Sequence, residues 1–157
     1  NYNGTASEYI TNLEGIREAV GPDVRIYYSE GCHLYKNRVQ ELALPNDRIS
    51  EAKTVARHSD VVILCLGLDS TIEGEEGDTG NSFAAGDKNS LFLPESQQEL
   101  LKAVVEIGKP TVVVINAGSA LDVSYADEHC NAIIDTINNF FSCFLYLCYY
   151  AHKLSSS

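Results

Sequence analysis

The chain has 157 residues, 45% of them hydrophobic, with 11 Lys and Arg against 22 Asp and Glu and a formal net charge of −11. That length supports one ordinary domain with a real core, and the acidic balance argues against nucleic acid or an anionic membrane as partners, because both require a basic face. The cysteines, Cys32, Cys65, Cys130, Cys143 and Cys148, are odd in number and form no CxxC. Free thiols in a reducing compartment are therefore expected, rather than a disulfide framework or a zinc site. His33, His58, His129 and His152 are scattered, and His129 beside Cys130 reads as a plain neighbouring pair rather than half of a metal site.

In chain order, Asn3-Gly4 is a turn signal, and Ile10, Leu13, Ile16, Ala19 and Val20 then recur on one helical face. Thr11 followed three residues later by Glu14 has the spacing of a capping box, and Gly21-Pro22 stops the helix. Val24 to Tyr28 reads as a short strand, and Leu34 to Asn46 as a loop with a turn of helix. Ile49 to Arg57 has helical spacing, closed by Ser59-Asp60. Val61 to Leu66 is an unbroken apolar run, the pattern of a strand covered on both faces. A further helix runs through Gln97, Leu100, Leu101, Val104, Val105 and Ile107, with Gly108 at its end and Pro110 blocking continuation. Thr111 to Asn116 is a second continuous apolar strand, and Ala132-Ile133-Ile134 is a candidate third. Helices alternating with buried strands predict an α/β fold, a three-layer α/β/α sandwich with a mainly parallel sheet. The segment 136–157, crowded with aromatics between Phe140 and Tyr150, is out of character with residues 1–135. It reads either as a buried terminal helix or strand, or as a departure that leaves the sheet truncated at its C-terminal end.

The most informative stretch follows the first buried strand. Between Asp69 and Asp87 stand Asp69, Glu73, Glu75, Glu76, Asp78 and Asp87, with no Lys or Arg. The carboxyl end of a buried strand is where open α/β sheets present ligand loops, and a connection this long is not an ordinary one. Nucleotide binding is disfavoured: Gly67 and Gly31 stand alone, with neither Gly-x-Gly-x-x-Gly nor Gly-Lys-Ser/Thr. A calcium loop counted from Asp69 places Glu73 fifth and Gly74 sixth, but its twelfth residue is Gly80 where a bidentate Glu is needed. General acid–base chemistry remains, because a carboxyl group against an apolar wall can donate a proton near neutral pH, as one of the paired carboxyl groups of glycosidases does. A solvated acidic loop is the plain alternative.

Several ordered motifs resemble the C-terminal α/β-sandwich domain of glycoside hydrolase family 3, the family of β-glucosidases and β-xylosidases. They are Asn1-Tyr2-Asn3-Gly4-Thr5 with Leu13-Glu14-Gly15-Ile16; Ser59-Asp60-Val61-Val62-Ile63 with Gly67-Leu68-Asp69; and Thr71-Ile72-Glu73-Gly74 with Gly77-Asp78. Leu91-Phe92-Leu93-Pro94 with Gln97-Gln98-Glu99-Leu100-Leu101, then Lys109-Pro110-Thr111 and Asn116-Ala117-Gly118-Ser119-Ala120-Leu121, continue the match. The resemblance covers residues 1 to 135. It implies the acid/base-bearing domain of a retaining exo-acting β-glycosidase acting on β-linked glucosides or xylosides, with no cofactor and no metal.

By the same resemblance Glu73 is the general acid/base, with Glu75 and Glu76 as its rivals, and Asp69, Thr71 and Asp78 belong to the substrate loop. The family's nucleophile is an Asp on a preceding (β/α)-barrel domain that this chain does not contain, so the chain alone is expected to be inactive. The alternative function is a stand-alone sugar- or calcium-binding α/β module. The chain opens without a signal-peptide pattern and reads as a piece of a longer polypeptide, which together with the cysteine usage makes a cytoplasmic bacterial location the expectation.

Overall fold

The fold is given by a computed structural model, which describes residues 10–38, 40–69, 72–73, 88–137 and 147–153, the last seven and residue 137 as backbone only. Helix α1 (Asn12–Val20) begins at the capping box read from the sequence: the Glu14 N–H donates to Thr11 Oγ1 at 3.2 Å, and Thr11 N–H donates back to Glu14 Oε2 at 2.8 Å. These bonds satisfy helix-end donors that would otherwise lack partners. The same backbone and hydroxyl contacts from Thr11 hold the Glu14 carboxyl below its usual range. Gly21, at φ 71°, turns the chain out of the helix.

Strand β1 (Val24–Ser29), helix α2 (Ile49–Arg57) and strand β2 (Val61–Gly67) follow. Helix α3 (Glu95–Val105) ends two residues before the expected Ile107. Its last turn tightens instead, with Ile107 N–H bonded to the Val104 carbonyl and Gly108 N–H to that of Val105, and Gly108 leaves at φ 76°. Strand β3 (Thr111–Ala117) leads to helix α4 (Ser124–His129), which the sequence reading did not anticipate. This helix is only six residues long and buries only Ala126, so it has no apolar periodicity to detect. Strands β4 (Ala132–Ile137) and β5 (Leu147–Lys153) complete the described elements.

Among the described residues the sheet has five strands in the order β1-β5-β2-β3-β4. Strands β2, β3 and β4 form a parallel block, with Leu64 opposite Val113 and Val113 opposite Ile133. Strand β5 enters between β1 and β2 and runs antiparallel to both, so β1 points the same way as the parallel block.

Both faces carry helices. Val62, Leu64 and Leu66 of β2 and Val113, Ile115 and Ala117 of β3 face Ala52 and Ala56 of α2, Leu100, Leu101 and Val104 of α3, and Ala126 of α4. On the opposite face the fully buried Cys65 packs with Leu13 and Ile16 of α1 and with Ile26, Ile63 and Val114. The protein is therefore an α/β sandwich of three layers. A two-faced cover explains why β2 is apolar at consecutive positions, and each buried Leu or Val contributes on the order of 1.5–3 kcal/mol of transfer free energy.

Candidate active site

The carboxyl ends of β2 and β3 are brought together by one glycine. Gly67 has φ 154°, and a Cβ there would lie 1.9 Å from the Asn116 carbonyl oxygen, so no other residue fits. The next residue fixes the junction: Leu68 N–H donates to the same Asn116 oxygen at 2.9 Å. Gln97, fully buried on α3, holds the end of β2 from the side. Its Oε1 accepts from Gly67 N–H at 2.9 Å, and its Nε2 donates to the carbonyls of Gly67 at 2.7 Å and Leu34 at 2.8 Å. Beyond β3, Thr136 of β4 lies with its hydroxyl 2.7 Å from Asn116 Oδ1 and 2.9 Å from the Ile115 carbonyl.

Beyond this platform, Asp69, Ile72 and Glu73 are held together by backbone hydrogen bonds. Ile72 and Glu73 both donate their N–H groups to the Asp69 carbonyl, at 2.9 and 2.8 Å. Leu68 and Ile72 are buried in the main core, which anchors the turn, and Asp69 is only 8% exposed. The half-buried Glu73 side chain then reaches across to the end of β3. Gly118 N–H donates to Oε2 and Ser119 N–H to Oε1, each at 2.9 Å, and the Ser119 hydroxyl donates to Oε1 as well. Two successive backbone amides and a hydroxyl converging on one carboxylate form a concave anion seat, with the stronger, charge-assisted kind of hydrogen bond.

Of the residues expected at this site, Asp69 and Glu73 are brought to the strand ends, whereas Thr71, Glu75, Glu76 and Asp78 lie outside the described residues. Sequence reading did not single out His33 or Ser119. His33 Nδ1 accepts from the N–H groups of Tyr35 at 3.3 Å and Lys36 at 3.2 Å, while its ring lies edge-on to Tyr35. Burial, then the nearby Lys36 charge, push the imidazole below its ordinary value, and Asp69 pulls the other way. No local pattern marks His33, since its link to Asp69 is made only by folding. Ser119 was visible only as part of the strand-end motif Asn116-Ala117-Gly118-Ser119.

A cavity of about 370 Å³ opens beside the turn, lined by Tyr35, Leu68, Ile72, Phe92 and Leu93, with Lys88 and Glu95 at polar positions. Among the described residues no group of three or more His, Cys, Asp or Glu could hold a metal ion, and no helix is long and apolar enough to cross a membrane. Most of the acidic residues on which a calcium site would draw lie outside the described residues.

Comparison with known proteins matches residues 1–139 to the family model described as the glycosyl hydrolase family 3 C-terminal domain. A β-xylosidase of Formosa agariphila is 30% identical over 135 residues, covering 86% of this chain and 16% of that protein. A periplasmic β-glucosidase of Salmonella typhimurium is 30% identical over 146 residues, covering 85% of this chain and 18% of that protein. A solved GH3 exo-β-xylosidase, in complex with a xylobiose aziridine activity-based probe, superposes with a TM-score of 0.66 at 28% identity, covering 86% of this chain and 15% of the other. The chain thus spans less than a fifth of the length of these curated relatives. Fold, ordered motifs and these matches agree: the chain belongs to glycoside hydrolase family 3 and carries its C-terminal domain.

Proposed function

We propose that this domain supplies the general acid/base of a retaining exo-acting β-glycosidase of the β-glucoside or β-xyloside class, and that Glu73 is that residue. One observation carries the assignment. Glu73 stands on a short, core-anchored turn at the carboxyl ends of β2 and β3, with its carboxylate seated on Gly118 and Ser119. A turn anchored by Ile72 holds a carboxyl group to a fixed position, which proton transfer to a reacting oxygen requires.

In the proposed reaction the Glu73 carboxyl first gives its proton to the glycosidic oxygen, while a carboxylate nucleophile attacks the anomeric carbon and the aglycone departs. The resulting carboxylate then takes a proton from water as that water displaces the enzyme from the sugar. Retention requires the two carboxyl groups about 5 Å apart, and the second belongs to a (β/α)-barrel domain outside this chain. The cavity lined by Tyr35 and Phe92 lies beside the turn, where a departing aglycone would be received.

The reading is tested by the pH–rate profile of kcat/KM in a polypeptide that joins this chain to a family barrel. Glu73→Gln removes the alkaline limb, which reports loss of the acid's proton, while Glu75→Gln and Glu76→Gln retain it. A Glu73→Gln profile that matches the parent would sink the assignment.

A further inference from the structure

We propose that Ser119 is a positioning residue for Glu73. Its hydroxyl, together with the N–H groups of Gly118 and Ser119, docks the carboxylate on the end of β3 and so fixes Glu73 to the sheet. The inference rests on the proposed role of Glu73 but makes a separate claim about how the residue is held. The three donors come from a site 45 and 46 positions away in sequence, so they tie the loop to the sheet rather than to itself. The carboxylate sits directly on the bare α-carbon of Gly118, where an added Cβ would lie 3.3 Å from Oε2 and 3.9 Å from Cδ. Gly118 is not among the glycines with positive φ, so its lack of a side chain serves this close approach and not a left-handed backbone.

The three donors are not equivalent. A backbone N–H can only donate, whereas a hydroxyl can rotate and accept. When Glu73 carries a proton, Ser119 is the member of the seat able to reverse its hydrogen bond and receive that O–H. When Glu73 is ionised, all three donate to it. Ser119 therefore allows the side chain to stay seated through both protonation states that an acid/base cycle visits. Among the described residues at this end of β3, the Lys88 ammonium donates to the Ala120 carbonyl, and Asp122 Oδ1 accepts from Ser124 N–H at 2.9 Å. Asp69, at the start of the turn, presents its carbonyl to Ile72 and Glu73.

Hydrogen exchange on this chain, followed by NMR without substrate, tests the proposal. The Gly118 and Ser119 amides are read against the Leu64 amide of β2, which reports global opening. Glu73→Ala is expected to speed exchange at Gly118 and Ser119 by about tenfold or more, as expected for losing a hydrogen bond to a charged group, without changing Leu64. Ser119→Ala is expected to speed exchange at Gly118 severalfold, and Ser119→Thr, which keeps the hydroxyl, to restore protection.

Gly118→Ala keeps every donor but presses on the carboxylate, and is expected to lower Ser119 protection. Protection at Gly118 within about twofold of the parent in Ser119→Ala, or in Glu73→Ala, would overturn the proposal. Because no turnover is measured, this failure is distinct from failure of the catalytic assignment, which is read in kcat/KM.

Discussion

Gln97 and Gly67 form a reciprocal pair: the buried side-chain amide accepts from the Gly67 N–H at 2.9 Å and donates to the Gly67 carbonyl at 2.7 Å. The pairing copies a strand's hydrogen bonds with a helix side chain, and it ends β2 where a further strand partner would otherwise be needed. A buried donor or acceptor left without a partner costs about 1–3 kcal/mol. Gln97→Ala strips the Gly67 groups and the Leu34 carbonyl together, so a loss of at least about 2 kcal/mol in urea unfolding is expected. Gln97→Glu is expected to be at least as damaging, because it turns a lone-pair-bearing oxygen toward two carbonyls. Wild-type stability in Gln97→Ala would show that the clamp contributes nothing.

Gly67 and Gly21 both have positive φ, but for different reasons. A Cβ on Gly21 meets nothing within 4 Å, whereas one on Gly67 meets Asn116 oxygen at 1.9 Å. Gly21, at φ 71° and ψ −178°, lies in a region that is essentially glycine's alone, so Gly21→Ala should cost only that backbone strain, about 1–3 kcal/mol. Gly67→Ala must part β2 from β3, and more than about 4 kcal/mol is expected, or no folded protein. Thermal unfolding of the two variants side by side checks the contrast, and equal effects would contradict it.

His33 links stability to pH. Its imidazole is held below the ordinary value, first by burial and then by Lys36, with Asp69 opposing. As pH falls, the unfolded chain takes up this proton first, at about 6.5. The unfolded state then binds more protons, so stability present above that value is lost as pH falls through the folded value. Protonation also removes the Nδ1 lone pair that accepts from Tyr35 and Lys36. The slope of unfolding free energy against pH between about 7 and 5 should therefore be shallower in His33→Asn than in the parent. Superimposable curves would assign the acid sensitivity elsewhere.

The purified chain by itself is expected to release no measurable product from an aryl β-glucoside or aryl β-xyloside, because retaining chemistry needs a second carboxyl group about 5 Å from the first. The assay is sensitive to trace turnover. Product formation by the chain, abolished by Glu73→Gln, would show that the domain holds a complete catalytic pair.

The parts of the fold legible in the sequence are those whose causes are local. The Thr11–Glu14 box depends on residues three apart, and β2 and β3 announce themselves because cover on both faces makes their positions apolar in succession. Helix α4 was missed because six residues with a single buried side chain carry no period. The place of β5 was also hidden. An aromatic-rich run is compatible with helix or strand, and its insertion between β1 and β2 depends on pairing Tyr150 with Tyr27 and Val62, far away in the chain.

At the site, physical reading of the loop yielded six equivalent carboxylates, and family resemblance, not spacing, separated Glu73 from the others. Its seat on Gly118 and Ser119 joins positions 45 apart or more, which no local window contains.

The most direct measurement of the central claim is azide rescue in a barrel-joined polypeptide carrying this chain, with an activated aryl β-glycoside as substrate. Glu73→Ala is expected to lower turnover by about 10²–10⁴-fold, most severely for poor leaving groups. Azide, which needs no general base to attack the glycosyl-enzyme, is expected to restore rate and give the β-glycosyl azide. The same treatment of Glu75→Ala and Glu76→Ala should yield no azide product beyond that of the parent. Undiminished hydrolysis of a poor-leaving-group substrate by Glu73→Ala, or rescue confined to Glu75→Ala or Glu76→Ala, would contradict the assignment.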